Sequence, residues 1–210
     1  MTTTDTVILL HGLARSHRCM RKLEKALKQA GFHTLNLHYP STRHDIETLA
    51  AMVIPAALDR CRQARRIHFV THSLGGILLR SYLQQYSIPN LGRVVMLAPP
   101  NQGSEVAASL QRYALFRHCF GPAAAQLGDV PQKLGKADFE LGVIAGNRSI
   151  NPLFHYWLRG DNDGTILVDD TRLTGMKDHL TLPVSHPFIM AKNAVIAQVL
   201  YFLREGQFRH

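Results

Sequence analysis

The chain has 210 residues, 46% of them hydrophobic and 19% charged, with a formal net charge of +9 at neutral pH. This composition can bury a sizeable core and excludes a disordered tail. No apolar run reaches the ~18 residues that a membrane span needs.

The elements read in chain order as alternating strands and helices. Val7 to Leu10 is a short apolar strand ending in HGL. Ser16 is placed to cap a helix that runs to Ala30 and stops at Gly31. FHTLNLHY, Phe32 to Tyr39, alternates like a strand. Asp45 opens a second helix through Ile46, Leu49, Val53, Ala57 and Cys61, in which Pro55 predicts a kink or break. Ile67 to Val70 is a buried strand, and a helix begins directly after Ser73. Arg93 to Pro99 is another apolar strand. Residues 100 to 137, rich in Ala, Gly and Pro, predict short helices and turns. Phe139 to Gly146 and Asp178 to Val184 are two further strands, with a polar loop between them, and Phe188 to Leu203 is a last helix. The alternation predicts one α/β domain over residues 1–210, with a mostly parallel sheet covered on both faces.

The three cysteines are Cys19, Cys61 and Cys119. An odd number, behind an N-terminus without the basic and long apolar regions of a signal peptide, predicts a reducing, cytoplasmic setting. Two basic clusters carry much of the charge: Arg15, Arg18, Arg21, Lys22, Lys25 and Lys28, and then Arg60, Arg62, Arg65 and Arg66. The first covers the polar sides of a helix whose Met20, Leu23, Leu27 and Ala30 share one face. It reads as a solvated surface, with weak association with an anionic membrane surface as the sharper alternative. No nucleic-acid-binding motif accompanies the charge, so no nucleic-acid partner is expected.

The turn THSLGG, Thr71 to Gly76, places a serine between strand and helix with almost no connecting chain. Serine is a weak nucleophile and must be presented to both a base and a substrate. A tight elbow at the carboxyl end of a strand lifts its Oγ above the sheet. It also aims the amide-rich start of the following helix at the same point. Gly75 lets that helix pass close to the strands.

THSLGG resembles the nucleophile elbow of the α/β-hydrolases, close to that of lipases and esterases. Thr71 stands where the usual pattern has glycine, which adds crowding but removes no reacting group. LLHGL, Leu9 to Leu13, is similar to the oxyanion loop of that family, and DNDGTILV and PVSHPF to its acid and histidine loops. The order Ser, Asp, His is the one expected for this fold. The resemblance spans nearly the whole chain and implies an α/β-hydrolase fold with a minimal cap. Its implied activity is a serine carboxylesterase or lipase that cleaves acyl esters through an acyl-enzyme, without cofactor or metal. Ser73 is then the nucleophile, His186 the base and Asp163 the acid, with the backbone N–H groups of Leu13 and Leu74 as the oxyanion hole. The substrate is a small-molecule or lipid acyl ester of unspecified chain length.

Competing assignments are weighed on the residues themselves. His186 follows the last strand and so lies at its carboxyl end, where functional loops of a parallel sheet gather; His179 begins that strand and lies at the far end. His72 is expected to pack or hydrogen-bond beside the serine. His33 and His38 face opposite sides of one strand, which counts against a metal site. Asp161 reads as a turn residue, and Asp169 and Asp170 as surface charges. DNDG is not an EF-hand loop, because its first ligand would be Arg159. Segment 104–137 reads equally as a small cap over the acyl site or as ordinary core helices. An acyltransferase or thioesterase would use the same three residues. A non-catalytic binding module would be expected to lack one of them.

Overall fold

The computed structural model describes residues 4–110, 113–150 and 158–210. Six parallel strands form its sheet in the order β2-β1-β3-β4-β5-β6. They are β1 (Thr6–Leu10), β2 (His33–Asn36), β3 (Ile67–His72), β4 (Leu91–Leu97), β5 (Leu141–Gly146) and β6 (Asp178–Leu182). The helices are α1 (Arg21–Gln29), α2 (Ile46–Asp59), α3 (Leu74–Leu83), α4 (Glu105–Leu110), α5 (Ala114–Gln126), α6 (Val130–Lys133) and α7 (Asn193–Glu205).

Side chains alternate across the strands and divide the core in two. Ile8, Leu10, Phe69, Val94, Met96 and Val143 point to one face, where Leu49, Val53, Ile54, Ile77 and Leu78 of α2 and α3 cover them. Val7, Leu9, Val70, Val95 and Ile144 point to the other, under Leu23 and Leu27 of α1 and Val195, Val199 and Phe202 of α7. The continuous apolar runs of β3 and β5 therefore belong to strands buried on both faces.

The strands shift by a few residues at their ends, most in β2, which is His33–Asn36 rather than Phe32–Tyr39, and three features of the helices also differ from the sequence reading. Ser16 precedes a 3-10 turn, His17–Met20, without a side-chain cap bond, and α1 begins only at Arg21. Pro55 does not break α2, which continues to Asp59. The carbonyl it deprives of a partner belongs to Ala51, which is exposed, so water can satisfy it. The last helix is two pieces, a 3-10 segment His186–Ala191 and then α7, separated by Lys192 in an extended conformation. Asp45 caps α2 as expected, accepting from the Thr48 N–H at 2.7 Å. Cys61 is buried and Cys19 packs against the α1/α7 core, whereas Cys119 is exposed. The segment expected as cap or core contributes α4, α5 and α6; its residues 111 and 112 lie outside the described residues. Among the described residues, no helix is long and apolar enough to cross a membrane.

Candidate active site

The loops after β1, β3 and β4 share an unusual backbone feature. Ala14, Ser73 and Ala98, the described non-glycine residues with positive φ, lie one in each. Such conformations cost on the order of 1–3 kcal/mol each and persist only where surrounding structure enforces them. Ser73, at φ 51° and ψ −122°, directly precedes α3, and its N–H is held by the Leu97 carbonyl at 2.9 Å. The elbow forms because α3 runs hard against β1. A Cβ on Gly75 would lie 2.7 Å from the Leu10 carbonyl oxygen and 2.9 Å from that of His11. Leu74 is the first residue of α3, so its N–H is one of those a helix leaves without an internal acceptor.

Asp163 is 2% exposed. Its Oδ2 accepts from His186 Nδ1 at 2.7 Å, while Oδ1 accepts from the N–H groups of Thr165 and Ile166 at 3.0 and 2.8 Å. The His186 N–H also donates to the Asp163 carbonyl at 3.0 Å, so loop and loop are joined twice. Gly146, at the end of β5, makes room for this meeting: a Cβ there would lie 2.4 Å from the Val184 carbonyl oxygen and 2.9 Å from Asp163 Cβ. Asp161 is exposed and Asp169 nearly fully so. Asp170, read from sequence as a surface charge, is half-buried. Desolvation, together with the charges of Glu105 and Asp169, pushes its carboxyl up to about 6.

Two further histidines buttress the site. His72 is 2% exposed, and burial first, then the charges of His186 and Arg15, holds it well below the ordinary histidine range. Neutral, it donates from Nε2 to the His186 carbonyl at 3.1 Å, with the two rings 4.8 Å apart. His11 is fully buried, and desolvation pushes it down to about 4. Its Nε2 accepts from the Tyr39 N–H at 3.4 Å, so Nδ1 carries the proton and donates to the Gly12 carbonyl at 2.8 Å. In a trans peptide the C=O and the following N–H point opposite ways. Drawing the Gly12 carbonyl toward His11 therefore turns the Leu13 N–H away from it. The Tyr39 hydroxyl, donating to the His11 carbonyl, pins the same turn. Sequence reading treated HGL as a motif and gave His11 no task; the buried position after an apolar strand was the available signal.

Ser73, His72, His186 and Leu13 line one cavity of about 490 Å³, together with Ala107, Phe120, Leu127 and Ile166. Leu127, from the end of α5, and Ala107, from α4, bring the 104–137 segment into its wall. A larger open groove, about 940 Å³, lies at the other end of the sheet beside Arg65, Asn90 and Glu140, but among the described residues no histidine lines it. Among the described residues no cluster of His, Cys, Asp and Glu is suited to a metal ion.

Residues 7–197 match the family model described as the alpha/beta hydrolase family. The chain belongs to that family. Solved structures share the fold at low identity. The mature lipase BlEst2 of Bacillus licheniformis superposes with a TM-score of 0.82 at 20% identity, over 97% of this chain and 93% of that one. The phospholipase PlaB of Legionella pneumophila gives 0.76 at 21% identity, over 96% of this chain and 60% of that one. A metagenomic carboxyl esterase, MGS0156, gives 0.74 at 17% identity, over 98% and 76%. A comparison of the sequence with curated proteins finds no match.

Proposed function

We propose that this α/β-hydrolase is a serine carboxylesterase or lipase that cleaves acyl esters through an acyl-enzyme. The observation that carries the reading is the pairing of His186 with the buried Asp163 at the wall of the cavity that Ser73 also lines. An ionised carboxylate only accepts hydrogen bonds. Asp163 therefore keeps the His186 proton on Nδ1 and leaves Nε2 as the base. Ser73 Oγ attacks the acyl carbonyl carbon while Nε2 takes its proton. The Leu13 and Leu74 N–H groups receive the oxyanion. Collapse breaks the ester bond, and the leaving alcohol takes the proton back from Nε2. Water, deprotonated by the same nitrogen, then attacks the acyl-enzyme and restores Ser73. The mostly apolar wall suits an acyl chain, and the similarity to lipases and esterases agrees with that chemistry.

The deciding experiment treats wild type and Ser73→Ala with a fluorophosphonate and, separately, with p-nitrophenyl esters of increasing chain length. The expected result is labelling at Ser73 and ester cleavage, both abolished by the substitution. A label mapped to another serine, or full cleavage by Ser73→Ala, overturns the reading.

A further inference from the structure

Apart from its two histidines, the cavity at Ser73 is lined among the described residues by one ionisable side chain, that of Arg15. The other described residues of the wall are apolar or hydroxyl-bearing, and no Asp or Glu is among them. Arg15 sits two residues after Leu13, at the end of a turn closed by its own N–H donating to the Gly12 carbonyl at 3.3 Å. It is exposed, and among the described residues no carboxylate pairs with its guanidinium. The adjoining chain adds Arg18, Arg21 and Lys22, all exposed, with no acid between residues 14 and 23. A neutral ester would leave this cation unused. A guanidinium presents a planar fork of donors that matches a carboxylate or phosphate. It stands here where an apolar wall on one side limits solvent screening.

We propose that Arg15 is a specificity-determining residue, and that the site selects esters whose apolar chain also carries an anionic group, carboxylate or phosphate. This rests on the ester-hydrolase reading and narrows its substrate class. The anion arrives either on a soluble ester or on a lipid headgroup, and both present the same chemistry to the guanidinium.

The test compares kcat/KM for two soluble esters with one leaving group, p-nitrophenyl butyrate and the mono-p-nitrophenyl ester of glutarate. A second arm compares phosphatidylglycerol with the uncharged diacylglycerol of the same acyl chains in mixed micelles. Wild type should favour the anionic member. In Arg15→Gln the anionic-to-neutral ratio should fall on the order of tenfold, the scale of one charge-assisted hydrogen bond, with Arg15→Lys in between. Lys25→Gln, which removes the same charge from an exposed site beside Ala26 and Ile196 rather than at this cavity, should keep the wild-type ratio. A fall confined to one arm supports the proposal and identifies the source of the anion. Unchanged ratios in both arms, with neutral esters still cleaved by wild type, overturn the proposal and leave the ester-hydrolase reading standing. An equal fall in Lys25→Gln also overturns it, since the cause would be the field of the whole basic face. If wild type cleaves no ester in either arm, both readings fall.

Discussion

Asp163 and His186 are bonded twice, side chain to side chain at 2.7 Å and backbone to backbone at 3.0 Å. The carboxylate is itself fixed by two amides of its own loop, so the imidazole has one orientation available. Replacing a triad aspartate with asparagine can cost ~10⁴-fold by stabilising the wrong imidazole tautomer. Asp163→Asn should lose activity on that scale on a soluble ester. Asp161→Asn, which changes an exposed side chain, should stay near wild type. Circular dichroism checks that both variants are folded. A large loss confined to Asp161→Asn would move the acid role to that residue.

Gly75 should be a packing requirement of the elbow. An added methyl would meet the Leu10 and His11 carbonyls at 2.7 and 2.9 Å, and backbone cannot yield as a side-chain tip does. Gly75→Ala should destabilise by about 1–3 kcal/mol, the usual range for overpacking, and should lower activity by shifting Ser73. Gly135→Ala is the control, because nothing lies within 4 Å of its added carbon. Urea midpoints for the two variants decide the matter; equal midpoints would remove the clash from the account of the elbow.

The strand–helix alternation was legible because buried parallel strands leave apolar runs such as Ile67–Val70, and because Asp45 marks a helix start chemically. The placement of Ser73 and His186 in turns at strand ends was legible from the residues themselves, and the pairing of Asp163 with His186 was expected from the resemblance. The split of the last helix at Lys192 was not. The apolar period runs on through both pieces, and the break depends on where the His186 segment packs. The task of His11 was equally hidden, since it depends on Tyr39, which lies 28 residues further along the chain. Arg80 was invisible for the same reason. Its guanidinium is buried and meets carbonyl oxygens from two separate stretches, Asn101 after β4 and Pro131 to Gly135 at the end of α6 and beyond.

That arginine supports a third prediction. It donates to both Asn101 oxygens at 3.0 and 3.1 Å and to the carbonyls of Pro131, Leu134 and Gly135 at 3.1, 2.9 and 3.2 Å. Burial pushes it down to about 10. It thus ties α3, the helix that starts after Ser73, to the loop after β4 and to α6 with the chain that follows it. Arg80→Met should cost about 3 kcal/mol, because it strands buried acceptors, and Arg80→Lys should recover part of the loss. Equal stability of Arg80→Met and wild type, measured by urea unfolding, would show that those carbonyls find other donors.

Three buried histidines and a half-buried one make stability depend on pH in a direction that can be worked out. Desolvation pushes His11 and His179 down to about 4, and it lowers His68 and His72 as well. In the unfolded chain an ordinary histidine titrates near ~6.5. Between about 6.5 and 4 the unfolded chain therefore binds more protons, and stability falls as the pH falls. Asp170 works against this. Its carboxyl titrates at about 6 when folded, above the ordinary carboxylate value, so folding retains its proton between about 6 and 4 and gains stability as the pH falls. One carboxylate opposes four histidines, so the net expectation is a loss of stability from pH 7 to pH 5. His179 isolates one contribution. Its Nε2 donates to the Thr171 hydroxyl oxygen at 2.9 Å, and that hydroxyl in turn donates to the Val168 carbonyl. His179→Gln can keep the donor while removing the titration. Urea midpoints at pH 7, 6 and 5 should fall for wild type and fall less for His179→Gln. A wild-type midpoint that rises toward pH 5 would mean that Asp170 dominates, and identical slopes in the two proteins would mean that His179 is not held neutral by the fold.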